Sequence, residues 1–369
     1  MAMKKSSSKV TDIEGKGEVV CGMDLGDRFS CVCLISKATG KTLAEGRVAT
    51  TPTGMRAYFS QYRSMRIAIE VGTHSPWVSR LLSEIGHELL VANARKVRLI
   101  WQNRRKDDRI DAEYLARLAR LDPSLLAPIR HRGPQAQVDI AVLRSRNALV
   151  KTRSELINHV RGTVKATGHR LPGSSAESFA SSARSSLPPE LAPALAAVLD
   201  TIAALTTTIR KYEEELSTLA STAYPETALL RQVRGVGLLT SLAFVLTIED
   251  PARFQRSRSV GAYFGLVRAR QHSGDSDPEL RISKEGDPFI RKLLVGCAQY
   301  ILGSFGADCD LRRYGLALAA GGSRKAKKRA VVAVARKLAV LLHRLWASHA
   351  VYDPFYTLNH PTTGNQHAA

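Results

Sequence analysis

Val19-Val20-Cys21-Gly22-Met23-Asp24-Leu25-Gly26-Asp27-Arg28-Phe29-Ser30-Cys31-Val32-Cys33-Leu34-Ile35 places two apolar, β-type runs on either side of a polar turn bearing Gly26, the pattern of a hairpin. Cys31 and Cys33, two apart in such a run, belong on one face of a strand. Outward from there, residues 42–48 read as a third strand and 55–62 as a helix. Arg66-Ile67-Ala68-Ile69-Glu70-Val71 is short, branched and apolar, as a buried central strand is, and a carboxylate stands at its end. Residues 77–85 read as a helix, 87–92 as a strand and 110–121 as a helix rich in Ala, Leu and Arg.

Three sequential strands followed by helix, strand, helix, strand and helix predict an RNase H-like α/β domain over residues 17–130. From Pro134 the β signal stops, and one amphipathic helix runs to about Ala166, followed by a Gly/Ser/Pro-rich break over 168–189. Leu191, Leu195, Val198, Ile202, Leu205, Ile209, Tyr212, Leu216 and Leu219 then alternate steps of four and three, a heptad seam that marks residues 131–225 as a helical coiled-coil region. Its partner is either a helix of the same chain or a second subunit, since periodicity does not identify it. Residues 226–354 read as mainly α-helical, with Arg234-Gly235-Val236-Gly237-Leu238 resembling the glycine turn of a helix-hairpin-helix. Such a turn aims backbone N–H groups at a phosphate, or simply links two helices. Residues 1–16 and 355–369 read as flexible tails.

A chain of 369 residues can bury more than one core, and 44% apolar with 24% charged residues describes a folding protein rather than a disordered one. The net charge of +21 calls for a polyanionic partner, usually nucleic acid. Ser323-Arg324-Lys325-Ala326-Lys327-Lys328-Arg329 opens a final helix at 330–347; its charge reads as a solvated face or, the preferred reading in a chain this basic, a nucleic-acid contact. No run of eighteen uninterrupted apolar residues and no signal-peptide core occur, which predicts a cytoplasmic protein without a membrane span. Five scattered cysteines without a CxxC pair exclude a zinc-ribbon or disulfide framework.

Four acids carry the candidate chemistry. Asp24 closes the first strand, Glu70 closes the fourth, and Asp108 and Asp111 open a helix at i and i+3, on one face. Strand ends and a helix start can meet at one sheet edge, where clustered carboxylates repel unless a cation neutralises them. Hard oxygen donors select Mg2+, and two such ions can activate a nucleophile and a leaving oxygen on a phosphodiester. Singly, each acid has a plainer role: Asp24 a turn residue, Asp108 an N-cap, Asp111 a solvated first-turn residue. Asp27 and Asp107 lie beside them, and Asp107 is the stronger rival.

Met23-Asp24-Leu25-Gly26, Ala68-Ile69-Glu70 and Lys106-Asp107-Asp108-Arg109-Ile110-Asp111-Ala112 resemble the DEDD tetrad of the RuvC-like transposases of the IS110 group, relatives of the Piv and MooV invertases. Gly261-Ala262-Tyr263-Phe264-Gly265-Leu266, Ser273-Gly274, Ile282-Ser283-Lys284-Glu285-Gly286-Asp287, Ile290-Arg291, residues 330–338 and Tyr352-Asp353-Pro354 resemble that group's serine-bearing C-terminal domain. The likeness spans about residues 18–354, with departures at Arg234, Arg268 and Asp107. It implies a DNA transposase that cuts and rejoins strands with carboxylate-bound Mg2+ and a serine nucleophile that forms a phosphoserine link, guided by an element-encoded RNA. The heptad seam from Leu191 to Leu219 is expected to join subunits into a homo-oligomer, dimer or tetramer, because left exposed it would be an unusually large apolar stripe. Ser273, in a polar loop before a glycine, is the preferred nucleophile over Ser283; Gly235, Gly237, Ser283, Lys284 and Arg291 are candidate nucleic-acid contacts. The alternatives are a RuvC-type junction nuclease using water, an actin-like ATPase suggested by Asp24-Leu25-Gly26-Asp27, and a non-catalytic nucleic-acid scaffold. The ATPase would need further glycine-rich nucleotide loops, and none follow.

Overall fold

The computed structural model describes residues 19–97, 107–269 and 280–360, and the chain divides between His131 and Arg132 into two compact units. The N-terminal unit holds a five-stranded mixed sheet. β1 (Val19–Asp24), β2 (Phe29–Ser36) and β3 (Thr42–Ala49) form an antiparallel meander, and β4 (Arg66–Glu70) and β5 (Glu88–Ala92) add in parallel on the other side of β1, giving the order β3-β2-β1-β4-β5.

Alternation along the strands splits the apolar residues between two layers. Cys21, Met23, Val32, Leu34, Ile67 and Ile69 face a layer made by α1 (Pro52–Phe59) and α2 (Ser75–Glu84). Val20, Cys31, Cys33 and Ala68 face Ala112, Leu115, Ala116 and Ala119 of α3 (Asp108–Leu121). The two cysteines therefore share a face, as their spacing predicts. α1 starts where Thr51 Oγ1 accepts the Gly54 N–H at 3.1 Å with Pro52 in the first turn, and α3 starts at Asp107, whose carboxylate accepts the Arg109 N–H at 3.0 Å.

The second unit is helical. α4 (Pro134–Ala166) runs against α6 (Ala192–Thr222), with α5 (Phe179–Arg184) in the connection that composition marks as a break. Two cross-pairs sit seven residues apart on each helix: Arg146 with Glu213, and Arg153 Nη1 donating to Thr206 Oγ1 at 3.2 Å. The descending partner numbers make the hairpin antiparallel.

The heptad seam meets a partner inside the chain: Leu195, Ile202, Ile209 and Leu216 are buried, while Val198, Leu205, Tyr212 and Leu219 between them are half-buried. The reason is connection length, since residues 167–191 let α6 fold back on α4. Pro189–Thr222 is long and apolar enough to cross a membrane by length and mean hydropathy alone (1.5), yet its exposed positions include Asp200, Arg210, Lys211, Glu214 and Glu215.

α7 (Glu226–Leu230) leads into α8 (Leu238–Ile248), which is buried from Thr240 to Ile248 and forms the centre of the largest core. Around it pack α9 (Arg258–Tyr263), α10 (Pro288–Leu302), α11 (Asp310–Ala319) and α12 (Arg324–Ser348). The basic cluster opens α12, which starts at Arg324 rather than Ala330 because Ser323 caps it by accepting the Ala326 N–H at 3.0 Å. Of the tails, residues 355–360 are among those described: the Thr357 N–H donates to Asp310 and residues 356–359 form a helical turn. The rest of both tails lies outside the described residues.

Candidate functional site

The carboxylate edge is built by three elements ending or beginning at one side of the sheet. Parallel pairing sets Met23 beside Ile69, so one step further Asp24 and Glu70 stand side by side on adjacent strand ends. Both lie on the α3 face, because alternation puts them with Gly22 and Ala68. α3 runs antiparallel to these strands: Arg66, at the start of β4, donates from Nη1 to the Ala119 carbonyl near the end of α3 at 3.2 Å. The first turn of α3 therefore stands over the strand ends.

Asp108 shares the helix face of buried Ala112, Leu115 and Ala119, one turn beyond the sheet contact, and Asp111 is half-buried beside it. Asp107, the rival in the sequence, is the N-cap, so the role proposed singly for Asp108 falls one residue earlier. Cys31 links the two halves. It pairs with Asp24 across the hairpin, and burial raises its thiol pKa, with the charges of Asp108 and Asp24 adding to the effect. Cys31, Arg47, Asp107, Asp108 and Arg109 surround a cavity of about 330 Å³.

Arg47 and Cys31 are members of this edge that the sequence reading missed. Arg47 sits opposite Cys31 in the β2–β3 register, and the signal was the face-sharing of Glu45 and Arg47 in an otherwise unremarked strand. His74 stands just past Glu70, at the start of α2. Its Nδ1 accepts the Trp77 indole N–H at 3.1 Å, which leaves the ring proton on Nε2, 3.6 Å from exposed Asp27.

Four hard-oxygen carboxylates on one edge match what a small divalent cation selects. Among the described residues, however, no three His, Cys, Asp or Glu side chains are drawn together closely enough to hold a metal ion. The donor chemistry fits Mg2+, and Asp24, Glu70, Asp108 and Asp111 are the residues that would hold it.

In the second unit, Ser273 lies outside the described residues. The residues on either side of its segment pair as a short ribbon: Arg268 bridges Ile282, the Ala269 N–H donates to Arg281 at 2.9 Å, and the Ser283 N–H to Val267 at 2.8 Å. Ser283 Oγ accepts the Glu285 N–H at 3.4 Å, the turn-forming role weighed against it as nucleophile. Gly265 and Gly286, at φ of +66° and +69°, let two turns press together; a Cβ on Gly265 would lie 2.3 Å from Glu285 backbone atoms.

Arg291 Nη1 donates to the Phe264 and Glu285 carbonyls at 3.0 and 2.7 Å, binding those turns to α10 rather than offering that nitrogen to a phosphate. Lys284 adopts φ +55° with its N–H on Gly265. Asp287 caps α10 and takes Arg132 at 3.0 Å and Arg144 at 2.7 Å. Burial would raise its pKa, but the Phe289 N–H and the two guanidinium groups outweigh that and hold it below the usual carboxylate range. Gly235, at φ +96°, is pressed against Tyr300 and Ile301, so it serves helix packing, whereas Gly237 at the α8 N-terminus has open space beside it.

Residues 21–168, which hold all four acids, match a transposase model of the DEDD IS110 type, and residues 227–313 match the model described as transposase IS116/IS110/IS902 family. The chain belongs to the IS110 family of transposases. Among curated relatives, the transposase for insertion sequence element IS1111A of Coxiella burnetii is 29% identical over 67% of this chain and 68% of its own length. The transposase for IS1328 of Yersinia enterocolitica is 28% identical over 75% and 82%. A probable family 20 transposase of Pseudomonas aeruginosa is 26% identical over 81% and 89%. This IS110-family chain is thus a transposase of an insertion sequence, an enzyme that cuts and joins DNA.

Proposed function

We propose that this transposase cuts and rejoins DNA strands with two centres, the carboxylate edge of Asp24, Glu70, Asp108 and Asp111 and a serine nucleophile, Ser273. The observation that carries the reading is the placement of Asp24 and Glu70 on neighbouring strand ends beneath the first turn of α3. The order β3-β2-β1-β4-β5, with a long helix against the central strand, supports an RNase H-like, RuvC-like unit.

Bound there by carboxylate oxygens, Mg2+ would supply Lewis-acid stabilisation of charge on a phosphodiester. The chain's own part is positional. Gly22 allows α3 to sit on β1 and so sets Asp108 and Asp111 over Asp24, while Arg47 and Arg109 beside the cavity offer guanidinium groups to phosphate oxygens. At the second centre the Ser273 oxygen forms a bond to phosphorus as the P–O bond to the departing strand breaks; the hydroxyl proton is lost and the departing oxygen gains one. The covalent phosphoserine keeps the bond energy for rejoining, one hard step divided into two. Lys284 and Arg291, cations that follow Ser273 in the chain, would stabilise the developing charge.

The substrates are donor and target DNA, and an element-encoded RNA chooses the sites by base pairing while the protein holds backbones. Such a protein works in the cytoplasm as a homo-oligomer, a dimer or tetramer. The test is strand cleavage of a junction substrate with and without Mg2+. Cleavage that needs Mg2+ and leaves a protein–DNA adduct is the expected result; cleavage without an adduct favours the water-using nuclease, and none at all favours the scaffold.

A further inference from the structure

A groove of about 1900 Å³ runs along α12 in the second unit, closed by α11, by Ala350 to Pro354 with Tyr356 and Thr357, and by the ribbon residues Leu266, Arg268, Arg281, Ile282 and Lys284. Among the described residues that line it, twelve are Arg or Lys and two are acidic. Both acids accept hydrogen bonds from the chain itself. Asp310 accepts the Thr357 N–H at 2.7 Å, and Asp353 accepts the Phe355 N–H and the Asn359 side-chain amide, each at 2.8 Å.

The groove face of α12 alternates in chemistry. Lys328 and Arg329, then Arg336 and Lys337, then Arg344 are exposed and basic. Between them Val332 and Ala333, then Val340 and Leu341, present half-buried apolar side chains. Steps of seven to eight residues separate the basic levels by roughly 11–12 Å along the helix. Two of the cations rest on aromatic rings: Lys337 Nζ lies 3.6 Å from the centre of Tyr314, and the Arg344 guanidinium 4.4 Å from that of Tyr356. These contacts fix the cations and leave flat rings at the same wall.

We infer that this groove holds a single strand of nucleic acid, with phosphates on the basic levels of α12 and bases laid on the apolar and aromatic levels between them. A duplex turns its bases inward and shows phosphates outward, so docking it here would set charge against Val332 and Val340 with no compensating contact. A single strand satisfies both chemistries at once: cations track its backbone, and apolar and ring surfaces receive its bases. The assignment rests on the protein acting on nucleic acid, and it names the strand state that the second unit selects.

The test uses the full chain carrying Asp24→Asn to block cleavage, and labelled 20-nucleotide probes: single-stranded DNA, single-stranded RNA of the same sequence, and duplex DNA. At least one single strand binds at least about tenfold tighter than the duplex, the worth of one stacked base. In Lys328→Gln and Lys337→Gln proteins the single-strand salt slope falls by about 0.7 each, one phosphate contact apiece. Val332→Gln weakens binding at unchanged slope, which a purely electrostatic site would not do. Duplex binding as tight as that of both single strands, or unchanged single-strand affinity in all three variants with intact far-UV dichroism, overturns the inference while leaving the transposase reading standing. Failure of every probe to bind the parent protein likewise overturns the inference, and cleavage of the junction substrate then judges the transposase reading separately.

Discussion

Gly22 of β1 lies so close to Ala112 of α3 that a Cβ at Gly22 would stand 2.0 Å from the Ala112 carbonyl oxygen and 2.4 Å from the Ala116 nitrogen. Both of those atoms are backbone, so no side-chain rotation relieves the clash. The contact sits two residues before Asp24 and one helical turn after Asp108, and it sets how far apart the two acids stand. Gly22→Ala is therefore expected to push α3 off the sheet and lower stability by about 1–3 kcal/mol, the usual range for overpacking. Denaturant melts check the loss, and Mg2+-dependent cleavage should fall further than stability alone explains. A variant of unchanged stability and activity would show that α3 does not bear on β1.

The carboxylate assignment separates Asp108 from its neighbour by role. Asp108→Asn is expected to abolish cleavage with the melting temperature nearly unchanged, because Asp108 is exposed and makes no capping bond. Asp107→Ala removes the bond to the Arg109 N–H and is expected to cost about 0.5–2 kcal/mol of stability while retaining cleavage under conditions where the protein is folded. Paired melts and cleavage assays on the two proteins decide it, and the reverse pattern would move the metal-binding register by one residue.

Much of the first unit was legible because each strand carries its own period. The runs at 19–24 and 66–71 announce themselves as buried, and their terminal acids follow from counting. Arg47 was not legible, since only the β2–β3 register places it opposite Cys31, and register depends on pairing rather than on local pattern. In the second unit the seam of α6 was plain, but its occupant was not: a heptad on one helix is blind to whether α4 or another chain fills it. Part of what Arg291 does was hidden for a related reason: only the fold reveals the two carbonyls that its Nη1 holds. The groove along α12 joins residues from 258 to 357, a separation no motif spans.

Asp287 ties the start of α4 to the start of α10 through Arg132 and Arg144, and its pKa is held below the usual carboxylate range. A depressed native pKa means that the stability it confers is complete above the unfolded value of about 3.9 and is lost as the pH falls through the native value. Asp287→Asn keeps an acceptor for the Phe289 N–H but drops the charge, and it is expected to cost about 2 kcal/mol at pH 7, less than for a fully buried pair because Arg144 is half-exposed. Urea melts from pH 7 down to pH 3 check the sign: the gap between the parent and the Asn protein should narrow in acid. A gap that stays constant would mean the charge contributes nothing.

The choice of nucleophile turns on Ser273 against Ser283. Ser283 accepts the Glu285 N–H and sends its own N–H to Val267, so it helps form the turn that places Lys284 in its left-handed conformation. Losing its hydroxyl removes one weak bond of 3.4 Å. A nucleophile cannot be spared, whereas a phosphate donor lost to Ala costs on the order of 1–3 kcal/mol when its partner is charged. Ser273→Ala is therefore expected to abolish the covalent protein–DNA adduct while DNA binding persists, and Ser283→Ala to slow adduct formation by about tenfold to a hundredfold without abolishing it. Denaturing gels of a substrate trapped after the first cut measure both. Adduct formed by Ser273→Ala and missing in Ser283→Ala transfers the role to Ser283, and adduct formed at full rate by both proteins rules out either serine as the attacking group.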